Sequence, residues 1–333
     1  MAFVRVACRA MATRFEMALY GDDPVRLRAA GEEALAEIRR LEAQLSFYRP
    51  SSEISRINQR AADGPVRVEP GLFRLLLTAR RLHAETGGAF DVTVAPLMRC
   101  WGFVNDTGRR PEPDTLAAAR ARTGMHLVRL DEAAFTVAFT RPGVQIDLGG
   151  IGKGFALDEA AHLLREAGIT RALLHGGTST VVALGTPPDA PHWTIAIARP
   201  GVQTAEPEGD DLLAQVHLAD AALSVSAVWG KAFEVDGTVY GHVLDPRRGR
   251  PVEGAVLAAV VCPSATEADA RSTALLVEGR AGLDRLARHT PPLQGLVVDR
   301  AAGDRGGTLH RVGAPSQEGR GGPVITLHPS AAP

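Results

Sequence analysis

The spacing of apolar residues changes period several times along the chain, and each change marks an element. FEMALYG, residues 15–21, alternates apolar and polar positions as a half-buried strand does. Asp23-Pro24 then supplies a cap and a first-turn proline, and Ala34, Ile38, Leu41 and Leu45 step along one face of a predicted helix that ends near Ser46. SSEISRINQRAADG is polar and reads as a loop, with a helical turn around 55–58. A second helix is predicted over about 70–85, through Leu72, Leu76, Ala79 and Leu82, and Gly87-Gly88 stops it. Next, Phe90, Val92 and Val94 alternate with Asp91 and Thr93, which predicts a short strand with a solvated face, broken by Pro96. A basic, proline-containing loop over 107–113 leads to an alanine-rich helix ending near Arg122, then to strand-like runs around 126–130 and 135–139.

VQIDLGG reads as an extended segment halted by two glycines. The following GFALDEAAHLLREAG places Phe155, Leu157, Ala160, Ala161, Leu164 and Ala167 at helical spacing. Further strands are expected over 171–174, 193–198 and from about 216 through Ser224-Val225-Ser226, with an acidic loop, PGVQTAEPEGDD, between them. Asp236-Gly237 is the strongest hairpin turn in the chain, and Asp245-Pro246 marks another turn. In VVCPSATEADARSTALLVEG, Thr266 followed by Asp269 resembles a capping box, and Ala270, Ala274 and Leu275 continue the helix. Strands and helices do not alternate regularly, so the expected class is α+β: mixed or antiparallel sheets with flanking helices. Residues 1–305 are expected to form one compact unit, with two lobes left open, and 306–333 a Gly/Pro/Ser-rich tail that is partly mobile.

Composition narrows the function classes. The 333 residues are 45% hydrophobic, enough to bury a substantial core. With 37 basic and 38 acidic residues and no dense Lys/Arg block, a nucleic-acid partner is not expected. No apolar run is long enough to span a bilayer, and arginines interrupt the place where a signal peptide would carry its apolar core, so the expected location is the cytoplasm. Cys8, Cys100 and Cys262 are scattered, without the paired spacing of zinc or redox sites, and read as structural thiols.

Candidate chemistry gathers in DLGGIGKGFALD, residues 147–158. Its glycines allow a ligand close to the backbone, the helix that follows would aim its unsatisfied N–H groups at an anion, and Lys153 adds a positive charge. Asp147 offers an acceptor for a ring N–H or a ribose hydroxyl. The stretch is not a P-loop, because Lys153 is followed by Gly154 instead of Ser or Thr, and its G-x-G-x-G spacing is not the Rossmann fingerprint. A tight turn that binds nothing is the competing reading, and the residues alone leave both open. A second glycine pair at a strand end, Gly176-Gly177, is another candidate for close approach to a ligand. His242 is either a packing residue or a base. Asp269, Ser272 and Thr273 share one helical face, presenting the hard oxygens that Mg²⁺ takes, with simple helix capping by Asp269 as the alternative.

GAFDVTVAPL, DLGGIGKGFALD, HVLDPRRGRP and EADARSTAL, in this order, together with MATRFEM and LSFYRPSSEISRIN, resemble the FAD:protein FMN transferases, formerly called thiamine biosynthesis lipoproteins. The resemblance covers roughly residues 8–300 and implies a flavin-transferase, T-fold-like architecture. It implies an enzyme that cuts the pyrophosphate of its substrate FAD and attaches FMN through a phosphoester to a Thr or Ser of an acceptor flavoprotein, releasing AMP. By the same resemblance, Met11, Tyr48, Ala89, Phe90, Asp91, Asp147, Lys153 and Leu244 would line the FAD site. Mg²⁺ would be held by the Gly150 carbonyl with Asp269, Ser272 and Thr273, and His242 would assist catalysis. The chain departs from the family at Ala12, where Gly is frequent, and at Arg248-Gly249, where Thr-Gly is frequent. The lipoprotein signal that places many members in the periplasm is not expected from the arginine-bearing stretch MAFVRVACRAMATRFEM. An FAD pyrophosphatase yielding FMN and AMP, and a non-catalytic FAD carrier, are the alternatives that the same site allows.

Overall fold

The structure, a computed structural model, describes residues 1–202, 207–288, 293–300, 308–312 and 324–327. Residues 203–206 of the acidic loop, and 306–307, 313–323 and 328–333 of the expected tail, lie outside the described residues. The chain folds as two compact units. One is Met1–Arg40, Lys153–Ser226 and Ala255–Pro333; the other is Leu41–Gly152 and Ala227–Gly254.

The first unit is built on an eight-stranded sheet whose spatial order follows the chain: Ala2–Ala10, Thr13–Gly21, Arg171–Gly176, Thr180–Leu184, Ala221–Ala227, Ala255–Cys262, Gln294–Asp299 and Leu309–Val312. The first two strands pair antiparallel with Ala10 opposite Thr13, so Met11-Ala12 is a two-residue turn. Period-2 alternation does what the sequence predicts: Phe15, Met17 and Leu19 are fully buried on one face, each contributing about 1.5–3 kcal/mol. The helix Pro24–Leu45 lies on these strands, since a Cβ on its Gly31 would stand 2.8 Å from Leu19 and Val6 side chains. The helix Ala265–Glu278 covers the strand Ala255–Cys262. A second sheet, Trp193–Ala198, Leu212–Leu218 and Val324–Leu327, shares a core with the first through Trp193, Ile197, Val216, Leu257, Leu296 and Ile325.

The second unit is mainly helical, with small antiparallel pairings. Its helices include Glu53–Arg60, Pro70–Glu85, Ala95–Cys100 and Pro113–Arg120. The hairpin Ala232–Val235/Thr238–Gly241 turns at Asp236-Gly237, both with positive φ, as expected of a type I′ turn. Its Phe233 and Tyr240 pack on a cluster of Leu97, Cys100, Trp101, Phe103, Ala119 and Leu244. Among the described residues no helix is long and apolar enough to cross a membrane.

Four local expectations are corrected. Residues 90–94 are not a strand: Asp91 Oδ1 accepts the N–H of Thr93 at 2.7 Å and its hydroxyl at 2.6 Å, which turns the chain into the helix at Ala95, and both residues are buried. The polar stretch after Pro50 forms the helix Glu53–Arg60, because Ser52 caps it and Ile54 and Ile57 anchor its inner face. Residues 144–148 form no ladder; instead Asn58 clamps both the N–H and the C=O of Ile146, at 2.7 and 2.9 Å. Within 306–333, the described residues include two paired strands, Leu309–Val312 and Val324–Leu327, with Ile325 buried.

Candidate active site

Two helices touch at their amino-terminal turns and bring Lys153 and Asp269 together. Helix Gly152–Glu166 carries Lys153 and Gly154 in its first turn, and helix Ala265–Glu278 carries Asp269, Ser272 and Thr273. The meeting is close. A Cβ on Gly154 would overlap the Ala265 carbonyl oxygen and stand 2.9 Å from Thr266 Cα, so only glycine fits. The Gly154 N–H donates to Asp269 Oδ2 at 3.1 Å, and Lys153 Nζ lies 3.8 Å from Asp269 Oδ1. Asp269 therefore does not cap its own helix, as the capping reading had it. Ser264 does, accepting the Glu267 N–H, while Asp269 takes an orphan amide of the other helix.

Sequence reasoning passed over Asp158, which closes the glycine motif. Its carboxylate accepts four hydrogen bonds, from Ser264 Oγ, Ala265 N, Thr266 N and Thr266 Oγ1, at 2.7, 2.9, 2.9 and 2.6 Å. Asp158 thus holds the start of the helix that bears Asp269. Its place four residues after Gly154 on one helical face was the available signal. Beside Asp269 runs a chain of hydroxyls: Ser224 Oγ donates to its Oδ1 at 3.4 Å, Ser226 Oγ is 2.8 Å from Ser272 Oγ and 3.3 Å from Thr273 Oγ1, and Thr180 Oγ1 is 3.2 Å from Ser224 Oγ. Ser224 and Ser226 share a strand face by alternation, which the sequence already contained. Ser272 is fully buried, whereas Thr273 is partly exposed.

This set fits Mg²⁺. Apart from the Lys153 ammonium, which cannot ligate a metal while protonated, the side-chain groups around Asp269 are oxygens, and no group of three or more His, Cys, Asp or Glu that could hold a metal occurs among the described residues. One carboxylate with hydroxyls leaves most of a coordination shell to water and phosphate, which suits Mg²⁺ and not a structural zinc site. Met11 belongs to the same unit, at the tip of the first hairpin with φ 49°. The Gly176-Gly177 pair approaches its own chain and not a ligand: Thr13 and the Phe15 ring fill the positions a Cβ would take.

The second unit holds the remaining candidates: Tyr48, Ala89, Phe90, Asp91, Asp147, Gly150, His242 and Leu244. Ala89, Phe90, Asp91 and Leu244 are buried. Asp91 also sits 3.2 Å from His83 Nδ1, which is 3.1 Å from the Phe90 carbonyl. Burial lowers the His83 pKa, but Asp91 and the Phe90 carbonyl outweigh it and the net shift is upward. Tyr48, 60% exposed, has its pKa raised by desolvation and by the Asp147 carboxylate, so it stays a phenol donor. Asp147 Oδ1 accepts the Gly149 N–H at 2.8 Å and shapes the glycine turn.

His242 stands at the foot of the 232–241 hairpin, directly across from Lys231. The Lys231 carbonyl accepts both the His242 backbone N–H at 3.0 Å and its Nδ1 at 3.1 Å. A carbonyl cannot donate, so Nδ1 carries the proton and Nε2 the basic lone pair. Lys231 is tied in turn to Asp106 at 2.8 Å, and that contact leads the causes that raise its pKa.

An α+β fold with this pair of helices has solved counterparts among flavin transferases. The chain superposes on the ApbE protein of Thermotoga maritima with a TM-score of 0.81 at 28% identity, covering 93% of this chain and 97% of that one. For the apo flavinyl transferase ApbE of Pseudomonas stutzeri the TM-score is 0.79 at 28% identity, with 93% and 94% covered. In sequence it is 30% identical to the FAD:protein FMN transferase of Klebsiella pneumoniae over 295 residues, 87% of this chain and 81% of that protein. It is 33% identical to the Vibrio cholerae enzyme of the same name over 244 residues, 71% and 69%. The family model ApbE matches residues 11–297, and the chain belongs to the ApbE family.

Proposed function

We propose that this protein is an FAD:protein FMN transferase, which moves FMN from FAD to a Ser or Thr of an acceptor protein and releases AMP. The observation that carries the reading is the joining of Lys153, the Gly154 amide and Asp269 in one buried cluster, from segments 115 residues apart. A cation beside an oxygen-rich metal seat, held in place by a helix amide, suits a pyrophosphate.

The chemistry assigns a task to each residue. The acceptor hydroxyl attacks the FMN-side phosphorus; its P–O bond forms as the P–O bond to the AMP side breaks, and AMP leaves with the bridging oxygen. His242 Nε2 takes the proton of the attacking hydroxyl, a contribution of roughly 10²–10⁴ in rate. Lys153 draws the phosphate charge to the glycine turn, and Asp147 and Tyr48 offer an acceptor and a donor to the flavin nucleotide. Asp269 and Thr273 would hold Mg²⁺, and Ser272 orients them from behind through Ser226. When bound, Mg²⁺ supplies Lewis-acid neutralisation of the charge that grows on the leaving phosphate.

The test is incubation with FAD, Mg²⁺ and a Ser/Thr-containing acceptor protein, followed by denaturation and mass analysis. Flavin retained on the acceptor, with one AMP released per flavin, is expected, as is loss of both on chelation of Mg²⁺. Free FMN with AMP would instead make the protein a pyrophosphatase, and unchanged FAD a carrier. His242→Ala should bind FAD near the wild-type level while transfer falls by roughly 10²–10⁴; loss of binding would remove His242 from the role of base.

A further inference from the structure

A cavity of about 580 Å³ lies wholly in the second unit, between the Gly87-Gly88 turn, the end of helix Pro113–Arg120, His126 and the Pro246-Arg247 turn. Apart from Asp91 in its wall, none of these residues has a part in flavin transfer as described above. The size is that of a small-molecule site.

Donors and acceptors are sorted by depth around it. The two carboxylates, Asp91 and Asp245, are 2% and 9% exposed, and each is already engaged by a basic side chain, His83 and Arg247. Asp245 is gripped by Arg247 through Nε and Nη2 at 2.9 and 3.0 Å, and Asp91 by His83. His83 and the stem of Arg247 both pack at Gly88, 3.4 and 3.5 Å from where its Cβ would be. Arg120 Nη2 donates to the Arg247 carbonyl at 3.0 Å, and its stem lies along Gly249, so the guanidinium is fixed at the rim. His126 is exposed on the wall.

Two arginines and two histidines therefore line the cavity, and Arg247, Arg120 and His83 each spend part of their N–H set on a protein acceptor that fixes the side chain. Orienting carboxylates also keep the donors in place, which lowers the ordering cost of binding. Donors arriving from a helix end, a turn and a loop suit an anion with oxygens in several directions. A tetrahedral phosphate answers that better than a planar carboxylate.

We propose that the cavity bounded by His83, Arg120, His126 and Arg247 is a binding site for a phosphate-bearing small molecule, separate from the Lys153–Asp269 cluster. It does not depend on the transferase reading, because its walls contain neither Lys153, Asp269 nor His242.

The test is calorimetric titration of the full chain with inorganic phosphate and, separately, with AMP, in a phosphate-free buffer and without Mg²⁺. Saturable binding is expected, weakened at least about tenfold, or about 1.4 kcal/mol, in Arg120→Gln and in His126→Ala. His126 is exposed, so His126→Ala should keep the wild-type melting curve, whereas Arg120→Gln gives up the bond to the Arg247 carbonyl and its melting curve is recorded beside its binding. Phosphate alone binding as tightly as AMP would identify the free ion as the source, and a preference for AMP a phosphomonoester. An NMR shift of the His83 imidazole on phosphate addition would place the ligand directly. Absence of saturable binding by both compounds, or binding that neither substitution weakens, would overturn the proposal.

Discussion

Ala12 shows how a single residue records its backbone. Met11 and Ala12 have φ of 49° and 59°, the left-handed region that a two-residue turn between right-twisted strands demands. Glycine adopts it freely, and alanine does so at a cost of about 1 kcal/mol. Ala12→Gly should therefore stabilise the protein by about 1 kcal/mol, read as a higher urea midpoint at unchanged slope. His83 gives a pH-dependent counterpart. Its folded pKa is raised above the ordinary 6.5, so its contribution is full below the unfolded value and fades as pH rises through the folded one. The stability gap between wild type and His83→Gln should be largest near about pH 6 and narrow toward about pH 8. A gap that grows with pH would reverse the assignment of charge to the His83–Asp91 pair.

At the scale of elements, the junction of helices Gly152–Glu166 and Ala265–Glu278 is the feature on which the candidate site turns. Gly154 lets the backbones touch, Asp158 bonds the second helix's first turn, and Asp269 returns the bond to Gly154. Gly154→Ala must push these helices apart. Overpacking of this kind costs about 1–3 kcal/mol, and the Asp269 bond is lost with it. The expected result is a lower denaturation midpoint together with weakened binding of FAD in the presence of Mg²⁺, measured by flavin fluorescence. Much of this junction was legible in advance: the glycine motif, the helix after it and the Asp269/Thr273 face follow from spacing. The strand expected over 90–94 failed because Asp91 spends its carboxylate on the Thr93 amide and hydroxyl, a local bond that alternation cannot register.

Across the whole molecule, sheet order in the first unit follows chain order, with long insertions between neighbouring strands. The last two described strands close both sheets of that unit, and Ile325 completes their shared core. A chain ending at Arg300 should therefore melt at least about 5 °C lower and associate on size-exclusion chromatography, because two strand edges lose their partners. Unchanged melting would return the segment to the tail that its Gly/Pro/Ser content suggested. Periodicity and turn chemistry by themselves determined where most helices and strands fall, that the class is α+β, and which motifs carry the chemistry, since those depend on neighbours within a few positions. Tertiary structure alone decided that Asp269 serves a helix 115 residues away, that Asp158 holds the helix start at Ser264–Thr266, and that Asn58 clamps Ile146. Such pairings are made by packing between segments remote in the chain, and local spacing carries no record of which remote partner a side chain will meet.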